Sequence, residues 1–380
     1  MESVSQEQAK ALATLMDDPK LDFWDFPRDL MVPPSEMKRV TSFLNVQRLK
    51  YSVWMEDVQE KIDGVFSDIP RTEEFDYFVY HTYDEIIAWI GDTVATNSDI
   101  TSSESIGTSY EGRDLPVLKL GIDTGKVKKV IWFNGAIHAR EWISPATVMA
   151  ITNQLIVDYR AGDPDITFLL ETYDFHILIM FNPDGYDYTW TNDRMWRKTR
   201  SPNDGSPCDG TDPNRNFDYE WGGLGASTLP CGSTYRGSHA LSEIEVVNVE
   251  GYLTTLSATQ ELFMYIDWHS YSELMLSAWG YTDQYPVDYA DMDAHMQVHT
   301  QAMGAVHGHY YEYGASGVTL YPTSGTTVDW AYGDRGIIYA YTIELRDTGE
   351  YGFLLPEDQI QPTAEENYAG LIAGLLFITP

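Results

Sequence analysis

Cysteine is scarce in this chain, which has only Cys208 and Cys231 among 380 residues. Their Pro-, Gly- and Ser-rich surroundings are compatible with one disulfide closing a short loop and equally with two free thiols. Long apolar runs are missing too, since none approaches the ~18 residues of a membrane span. The first residues have neither the basic nor the apolar region of a signal peptide, so nothing at this end directs export.

Basic residues are also few. The sequence has 24 Lys and Arg against 58 Asp and Glu, a formal net charge of −34. This balance argues against nucleic acid or an anionic membrane as a partner and indicates a solvated acidic surface. Two hydrolase signatures are also absent, the GxSxG of serine hydrolases and the HExxH of many zinc proteases.

Apolar residues are plentiful at 43%, and a chain of this length predicts one large domain and a small one. The first 71 residues predict a small α+β unit. Its helices are expected over 6–16, 35–47 (capped by Ser35) and 57–69, and its extended segments over 21–26, 30–32 and 51–55. Arg71 then lies in a linker that a trypsin-like protease could cut, although a lone linker arginine is usually only solvated.

Strand and helix patterns alternate after residue 75, which predicts an α/β fold with a mixed, largely covered sheet. Strands are expected over 116–122, 130–133, 175–181, 262–267, 272–278 and 337–343. Helices are expected over 84–94, 145–157, 242–256, 290–307 and 363–378. Ser144 before Pro145, and a capping box of Ser242 with Glu245, predict two of the helix starts.

A candidate metal site begins with His138 and Glu141, which follow the apolar strand over 130–133. An imidazole and a carboxylate at this spacing are more often an ordinary surface pair, so a third ligand is required. His269 fits best because it ends another apolar strand. Of the competing histidines, His176 is expected to be half-buried, whereas His295, His299, His307 and His309 are expected to be solvated. Two histidines and one carboxylate form a catalytic zinc arrangement.

A general base should lie on a neighbouring strand end, and Glu344 closes the run over 339–343. Buried carboxylates usually have either a function or a partner. Arg346 makes a structural salt bridge an equally good interpretation of Glu344.

At these residues the sequence resembles the zinc metallocarboxypeptidases of the carboxypeptidase A/B family in their procarboxypeptidase form. The resemblance covers almost the whole chain. The matching blocks are YEGR (110–113), HAREW (138–142), NPDG (182–185), WRKTR (196–200), DPNRN (212–216), HSYS (269–272), LY (320–321), ELRDTG (344–349) and YGFLLP (351–356). The implied fold is a mixed eight-stranded sheet flanked by helices and preceded by a small α+β activation domain.

The resemblance also implies a role for each matching residue. One Zn²⁺ would be held by His138, Glu141 and His269. Glu344 would be the general base, and Arg197 would polarise the scissile carbonyl. Asn214 and Arg215 would clamp the terminal carboxylate, and Tyr321 would cover the bound substrate. Arg140, Arg194, Ser270 and Tyr271 would line the cleft on the upstream side. Asp212 would orient His138, and Cys208 with Cys231 would form a disulfide.

Specificity depends, by the same resemblance, on the pocket for the C-terminal side chain. Val328 stands where a carboxylate would attract Lys or Arg, so an A-type preference for aromatic or aliphatic residues is expected. Leu276 and Gly280 would form other walls. Hydroxyls at Ser316 and Thr323 leave the choice between aromatic and small residues open. The alternatives are a B-type enzyme for Lys or Arg and an inactive zinc-binding pseudoenzyme.

The first 71 residues resemble the family's activation peptide through LDFW (21–24), MVPP (31–34) and YSVWMEDV (51–58). Cleavage at Arg71 by a trypsin-like protease would release the catalytic domain over 72–380. The resemblance implies a secreted, monomeric zymogen that acts on peptide or protein C-termini. Because the chain starts beyond the activation peptide's first strand, an N-terminal truncation is expected rather than a loss of that strand and the signal peptide.

Overall fold

A computed structural model of the protein describes residues 5–16, 18, 20–65 and 75–379. Arg71, the expected cleavage site, and the predicted helix end over 66–69 lie outside these residues. The N-terminal unit contains α1 (Gln6–Ala13), β1 (Asp22–Asp25), β2 (Asp29–Met31), α2 (Met37–Val46) and α3 (Val58–Asp63).

The rest of the chain forms one α/β unit. Its elements in order are α4 (Tyr83–Thr96), β3 (Thr101–Thr108), β4 (Asp114–Leu120), β5 (Lys129–Asn134), α5 (Ile143–Ala161), α6 (Pro164–Thr172), β6 (Tyr173–Leu178), α7 (Pro183–Thr191), α8 (Ile244–Ser257), β7 (Leu262–Ser270), β8 (Leu274–Ser277), α9 (Tyr289–His307), β9 (Glu312–Ala315), α10 (Ser316–Thr319), α11 (Thr327–Gly333), β10 (Tyr339–Leu345) and α12 (Ile360–Ile378). Short 3₁₀ turns occur at Pro213–Arg215, Gly352–Leu354 and Glu357–Gln359.

The sheet has eight strands in the order β3-β4-β6-β5-β7-β10-β8-β9. Its centre is parallel, because β5 pairs in parallel with β6 and β7, and β7 with β10. The antiparallel pairs are β3 with β4, β4 with β6, and β8 with β10. The predicted mixed eight-stranded sheet is therefore confirmed.

Alternation along the central strands divides the buried side chains between two cores. Ile131 and Phe133 of β5 face one core, which also receives side chains of α5, α9 and α12. Trp132, between them, faces a second core with side chains of α8 and α11. A strand covered on both faces reads as a continuous apolar run, which is why these strands were predictable from sequence.

Several predicted details are wrong. Residues 51–55 form no strand and have exposed side chains except at Met55. Glu36, not Ser35, precedes α2, and its side chain makes no capping hydrogen bond. Helix α5 begins at Ile143, so Ser144 lies inside it, where its hydroxyl accepts a hydrogen bond from the Ala136 N–H and donates to the Trp268 carbonyl.

The capping box at Ser242 is also wrong, because α8 begins at Ile244. The Ser242 hydroxyl donates to Glu243, and the Glu245 carboxylate accepts from the Tyr110 N–H. These polar side chains bind other partners in the fold instead of capping the helix ends that the local sequence predicted. The prediction also lacked β3, β9 and four helices, α6, α7, α10 and α11. None of the described helices is long and apolar enough to cross a membrane.

A buried ion pair fixes the end of β10 to α12. Arg346 donates to both carboxylate oxygens of Glu366, with Nε–Oε1 at 2.9 Å and Nη2–Oε2 at 2.5 Å. Glu366 is fully buried and also accepts from the Tyr311 hydroxyl at 3.0 Å. Arg346 therefore pairs with Glu366 and leaves Glu344, two residues earlier, without this salt bridge.

We expect Glu366→Gln to lower the free energy of unfolding by about 3 kcal/mol, because the Arg346 charge would stay buried without its partner. A urea titration followed by tryptophan fluorescence measures the change. Asp99→Asn is the matched control, because it removes a carboxylate from the exposed pair with Arg160 and should leave the urea midpoint unchanged. Equal shifts in the two variants would contradict the prediction.

Candidate metal and catalytic site

The site is built at the carboxyl ends of three adjacent parallel strands. His138 and Glu141 lie on the loop after β5, His269 near the end of β7, and Glu344 near the end of β10. Glu344 is the register partner of His269. Because parallel strands end at the same edge of a sheet, the fold itself brings these groups together.

His138, Glu141 and His269 form a compact group whose ligand atoms all lie within 4.8 Å of one another. The Nδ1 atoms of the two imidazoles lie 2.7 and 3.0 Å from the two Glu141 oxygens, and 3.1 Å from each other. All three side chains are buried. Two imidazole nitrogens and a carboxylate converging on one point are a fitting donor set for Zn²⁺.

The outward Nε2 atom of each imidazole faces a carboxylate. His138 Nε2 lies 3.1 Å from Asp212 Oδ1, and His269 Nε2 lies 3.0 Å from Asp267 Oδ2. Asp212 also accepts from Arg197, with Nη2–Oδ2 at 2.8 Å. Such outer carboxylates orient ligand histidines and raise their basicity. Asp212 therefore lies where the resemblance placed it.

The local charge also favours a bound cation. Three carboxylates, Glu141, Asp212 and Asp267, lie against the two imidazoles. Arg197 pairs with one of them, Asp212. Burial alone would lower the pKa of His269, but Asp267 and Glu141 raise it well above its ordinary value. The residues therefore fit a zinc ion in both donor type and charge.

Glu344 lies beside this group in a cavity that both histidines, Glu141 and Arg197 also line. Burial, reinforced by Glu141, raises its pKa to about 8 against the opposing effect of His269 and Arg197. A carboxyl group with this pKa keeps its proton at neutral pH, and a cation bound at the neighbouring group would favour the carboxylate form that a general base requires.

Most of the expected substrate-binding residues line the same cavity, namely Asn214, Arg215, Ser270, Tyr271, Tyr321 and Val328. The Asn214 carboxamide is held by the Thr327 N–H at 2.9 Å, and Arg215 Nε donates to the Gly225 carbonyl at 2.9 Å. The Ser270 hydroxyl is buried without a hydrogen-bond partner in the described part of the chain. Asn214 and Arg215, the expected clamp on the terminal carboxylate, lie on the irregular segment between α7 and α8.

Arg140 and Arg194 do not line this cavity. Arg194 donates to the Arg140 carbonyl at 2.8 Å and the Phe353 carbonyl at 2.7 Å, and its guanidinium lies 3.7 Å from the Trp142 ring centroid. Burial lowers its pKa to about 10. Arg140 pairs with Asp22 of the N-terminal unit. Their expected contact with substrate stays a prediction.

Val328 lies at one side of the cavity and is 4% exposed. The other wall residues include Leu276, Gly280, Ser316, Thr323 and Asp329. Asp329 accepts from the N–H groups of Gly280 and Tyr281 at 2.7 and 2.8 Å, and burial raises its pKa to about 7. The wall is thus mainly neutral.

The N-terminal unit covers the cavity with its β1–β2 hairpin. Phe23, Trp24, Asp25 and Phe26 are among the lining residues. The rings of Phe26 and Tyr321 meet edge to face with centroids 5.0 Å apart. The Tyr271 hydroxyl donates to Asp29 at 2.7 Å.

The prediction for the other histidines needs correction. His295 and His299 were expected to be solvated, but both are fully buried. His176 is also buried rather than half-buried, and its Nδ1 lies 2.8 Å from the Tyr252 hydroxyl. The expectation of solvated residues holds at the end of α9, where His307 contacts Glu365 at the surface, and just after it, where the 42% exposed His309 side chain contacts Glu273.

Asp267 is the site residue that sequence reasoning missed. Its carboxylate accepts from Asn134 Nδ2 and, at 2.6 Å, from the Thr327 hydroxyl, besides facing His269. A signal was available, because a lone carboxylate stands two residues before His269 in an otherwise apolar strand. Alternation places both side chains on the same face of β7.

We expect Asp267→Asn to weaken zinc binding about 10- to 100-fold, because His269 loses the carboxylate that orients it. Competition with a chromogenic chelator measures the affinity. Asp99→Asn, on the surface, is the control and should bind zinc like the parent. An unchanged affinity in Asp267→Asn would show that the carboxylate has no such role.

Cys208 and Cys231 form a disulfide within the segment that carries the clamp. Of the two states that the sequence left open, the structure therefore has the bonded one.

Two family models match this sequence. The model described as zinc carboxypeptidase matches residues 86–370, and the carboxypeptidase activation peptide matches residues 2–64. Carboxypeptidase A4 of Mus musculus is 42% identical over 93% of this chain and 86% of its own length. Carboxypeptidase B of Astacus astacus is 45% identical over 78% of this chain and 96% of its own.

Solved structures agree with these sequence matches. The crystal structure of thrombin activatable fibrinolysis inhibitor superposes with a TM-score of 0.88 at 34% identity, covering 99% of this chain and 96% of that one. Carboxypeptidase A from Helicoverpa armigera gives 0.88 at 25% identity, with 98% and 95% covered. The chain therefore belongs to the zinc carboxypeptidase family and carries that family's activation peptide at its N-terminus.

Proposed function

We propose that this protein is the zymogen of an A-type carboxypeptidase that releases aromatic or aliphatic residues from peptide and protein C-termini. The observation that carries this specificity is Val328 in the cavity wall, where the resemblance expects the residue that selects the side chain. An unpaired Lys or Arg side chain beside Val328 would lose its hydration without gaining a counter-charge.

His138, Glu141 and His269 would hold the zinc ion. Bound there, it would polarise the scissile carbonyl and lower the pKa of a water molecule. Glu344 takes a proton from the attacking water and passes it to the leaving amine. Arg197, held by Asp212, donates toward the carbonyl oxygen as negative charge develops there.

The clamp residues make the reaction an exopeptidase reaction. Arg215 supplies a planar guanidinium that can pair with the terminal carboxylate, and Asn214 supplies an amide N–H group beside it. Tyr321 covers the bound residue. Arg140, Arg194, Ser270 and Tyr271 contact the substrate on the upstream side once the N-terminal unit has left.

We place the domain boundary after residue 71, with an activation peptide over 1–71 and the catalytic domain over 72–380. A trypsin-like protease cutting at Arg71 would activate the enzyme. The family supports the further proposal that the protein is secreted and monomeric. The hairpin that covers the cavity supports the proposal that cleavage is needed for activity.

B-type specificity is the second candidate, and two observations favour it. Carboxypeptidase B of Astacus astacus is 45% identical to this chain. Asp329 lines the cavity near Gly280, where a carboxylate could meet a basic side chain.

Blocked dipeptides ending in Phe, Leu or Arg, assayed before and after limited trypsin treatment, test the proposal. We expect hydrolysis only after cleavage, with Phe or Leu preferred. Glu344→Gln should bind zinc normally yet lose about 10²- to 10⁴-fold in turnover, because general base catalysis is lost. A trypsin-treated protein that binds a full equivalent of zinc and remains inert would refute the activity, whereas preferred hydrolysis of the Arg substrate would establish the B type.

Val328→Asp should shift the Arg-to-Phe ratio of kcat/KM at least about tenfold toward Arg, because the new carboxylate supplies the missing counter-charge. Val328→Ile is the matched control and should keep the parental ratio. An unchanged ratio in Val328→Asp would mean that another wall residue selects the side chain.

A further inference from the structure

Helices α9 and α12 meet at a pair of histidines that the proposed reaction does not use. His295 and His299 lie one turn apart on α9, and both are fully buried. None of their four ring nitrogens has a hydrogen-bond partner in the described part of the chain. Buried polar groups nearly always have a partner, so this pair is unusual.

Two glycines of α12 make room for the imidazoles. A Cβ atom at Gly374 would lie 2.6 Å from His295 Nε2 and 3.1 Å from His299 Nδ1. A Cβ atom at Gly370 would lie 2.5 Å from His299 Cδ2. We call these four residues the α9–α12 seam. Any larger side chain at Gly370 or Gly374 would clash with the rings, so both imidazoles pack directly against the backbone of α12.

Among the described residues, no charged side chain of the surrounding elements acts on either imidazole. From β10, the rings of Tyr341 and Tyr339 contact His295 with centroids 5.1 and 5.4 Å apart. On α12, the carboxylate of Glu366 is held by Arg346. Asp291, one turn before His295 on α9, is exposed.

Both imidazoles are therefore held in their neutral form. Burial lowers the pKa of His295 to about 3. Burial, with a further contribution from His295, lowers the pKa of His299 well below its ordinary value.

We propose that the α9–α12 seam is an acid-sensitive latch, in which proton uptake by His295 and His299 separates the two helices. Charging either ring would place a cation, with no counter-charge, between two packed helices. Separation would also disturb β10, because Tyr341 of that strand stacks on His295 and Glu344 lies three residues further along. Opening of the latch in acid would thereby displace Glu344, the proposed catalytic base.

The sign of the pH dependence follows from linkage. Above pH about 6.5 the imidazoles are neutral in both the closed and the open seam, so pH has no effect through them. As the pH falls below that value, the open seam binds protons and the closed one does not. Each histidine then favours opening about tenfold per pH unit, and the pair about a hundredfold.

Hydrogen exchange of α12 amides in the full-length, zinc-loaded protein tests the proposal between pH 6.5 and 4.5, after correction for intrinsic exchange. In the parent, the opening constant should rise about 30-fold from pH 6.5 to 5.5 and about a hundredfold over the next pH unit. It should rise far less in the double variant His295→Leu with His299→Leu. His307→Gln, which removes an exposed histidine from the same helix, should behave like the parent. A parent and a double variant with the same pH slope would overturn the proposal.

The parent alone provides a second readout should the double variant fail to fold. The imidazole NMR signals of His295 and His299 should remain in the neutral form until the seam opens. Titration of both rings near pH 6.5 in a protein whose α12 amides stay protected would overturn the latch. Neither readout depends on peptidase activity, so failure of the latch and failure of the proposed function are distinguishable.

Discussion

A buried chain of alternating carboxylates and imidazoles is the constraint on which the site depends. It runs from Asp212 through His138, Glu141 and His269 to Asp267, with successive contacts of 3.1, 2.7, 3.0 and 3.0 Å. Each of these side chains is almost fully removed from water. Removing any one of these side chains would leave a charge or lone pair of its neighbour without a partner in the protein interior, which solvates polar groups poorly.

This series of contacts depends on the parallel centre of the mixed sheet and on its covered faces. Asp267 and His269 come from β7, while His138 and Glu141 come from the loop after β5, and these strands are neighbours. Covering both faces excludes water from the strand ends, and the parallel direction gathers them at one edge. An antiparallel arrangement of β5 and β7 would place their ends at opposite edges.

Sequence was sufficient for the parts of this site that follow from strand ends and residue type. His138, Glu141, His269 and Glu344 each follow or close an apolar run, so their convergence could be predicted once parallel strands were expected. Alternation along β7 places Asp267 on the face of His269, but its other partners, Asn134 of β5 and Thr327 of α11, are set by tertiary packing, and the residue was missed. Arg346 was equally ambiguous, and only the position of α12 shows that Glu366, rather than Glu344, is its partner.

The errors have a common physical origin in tertiary contacts. Polar residues on a helix are read as a solvated face, but His295 and His299 are buried because Gly370 and Gly374, some seventy residues later, leave space for them. Likewise, Ser144 is a residue type that often caps helices, yet its hydroxyl connects the loop after β5 to strand β7 inside the core. Local patterns record what a residue prefers, whereas burial is decided by what the rest of the chain brings against it.

In the proposed mechanism, the N-terminal unit and the substrate would contact the same groups, so the two would exclude each other. Asp22 pairs with Arg140, Asp29 accepts from Tyr271, and Phe26 covers Tyr321. Because these contacts are made by the β1–β2 hairpin itself, the proposed cleavage after the N-terminal unit would remove only the covalent tether. The hairpin would then have to dissociate before a substrate could reach these side chains. In this proposal the strength of the hairpin contacts, and not only the cleavage, determines how much active site is exposed.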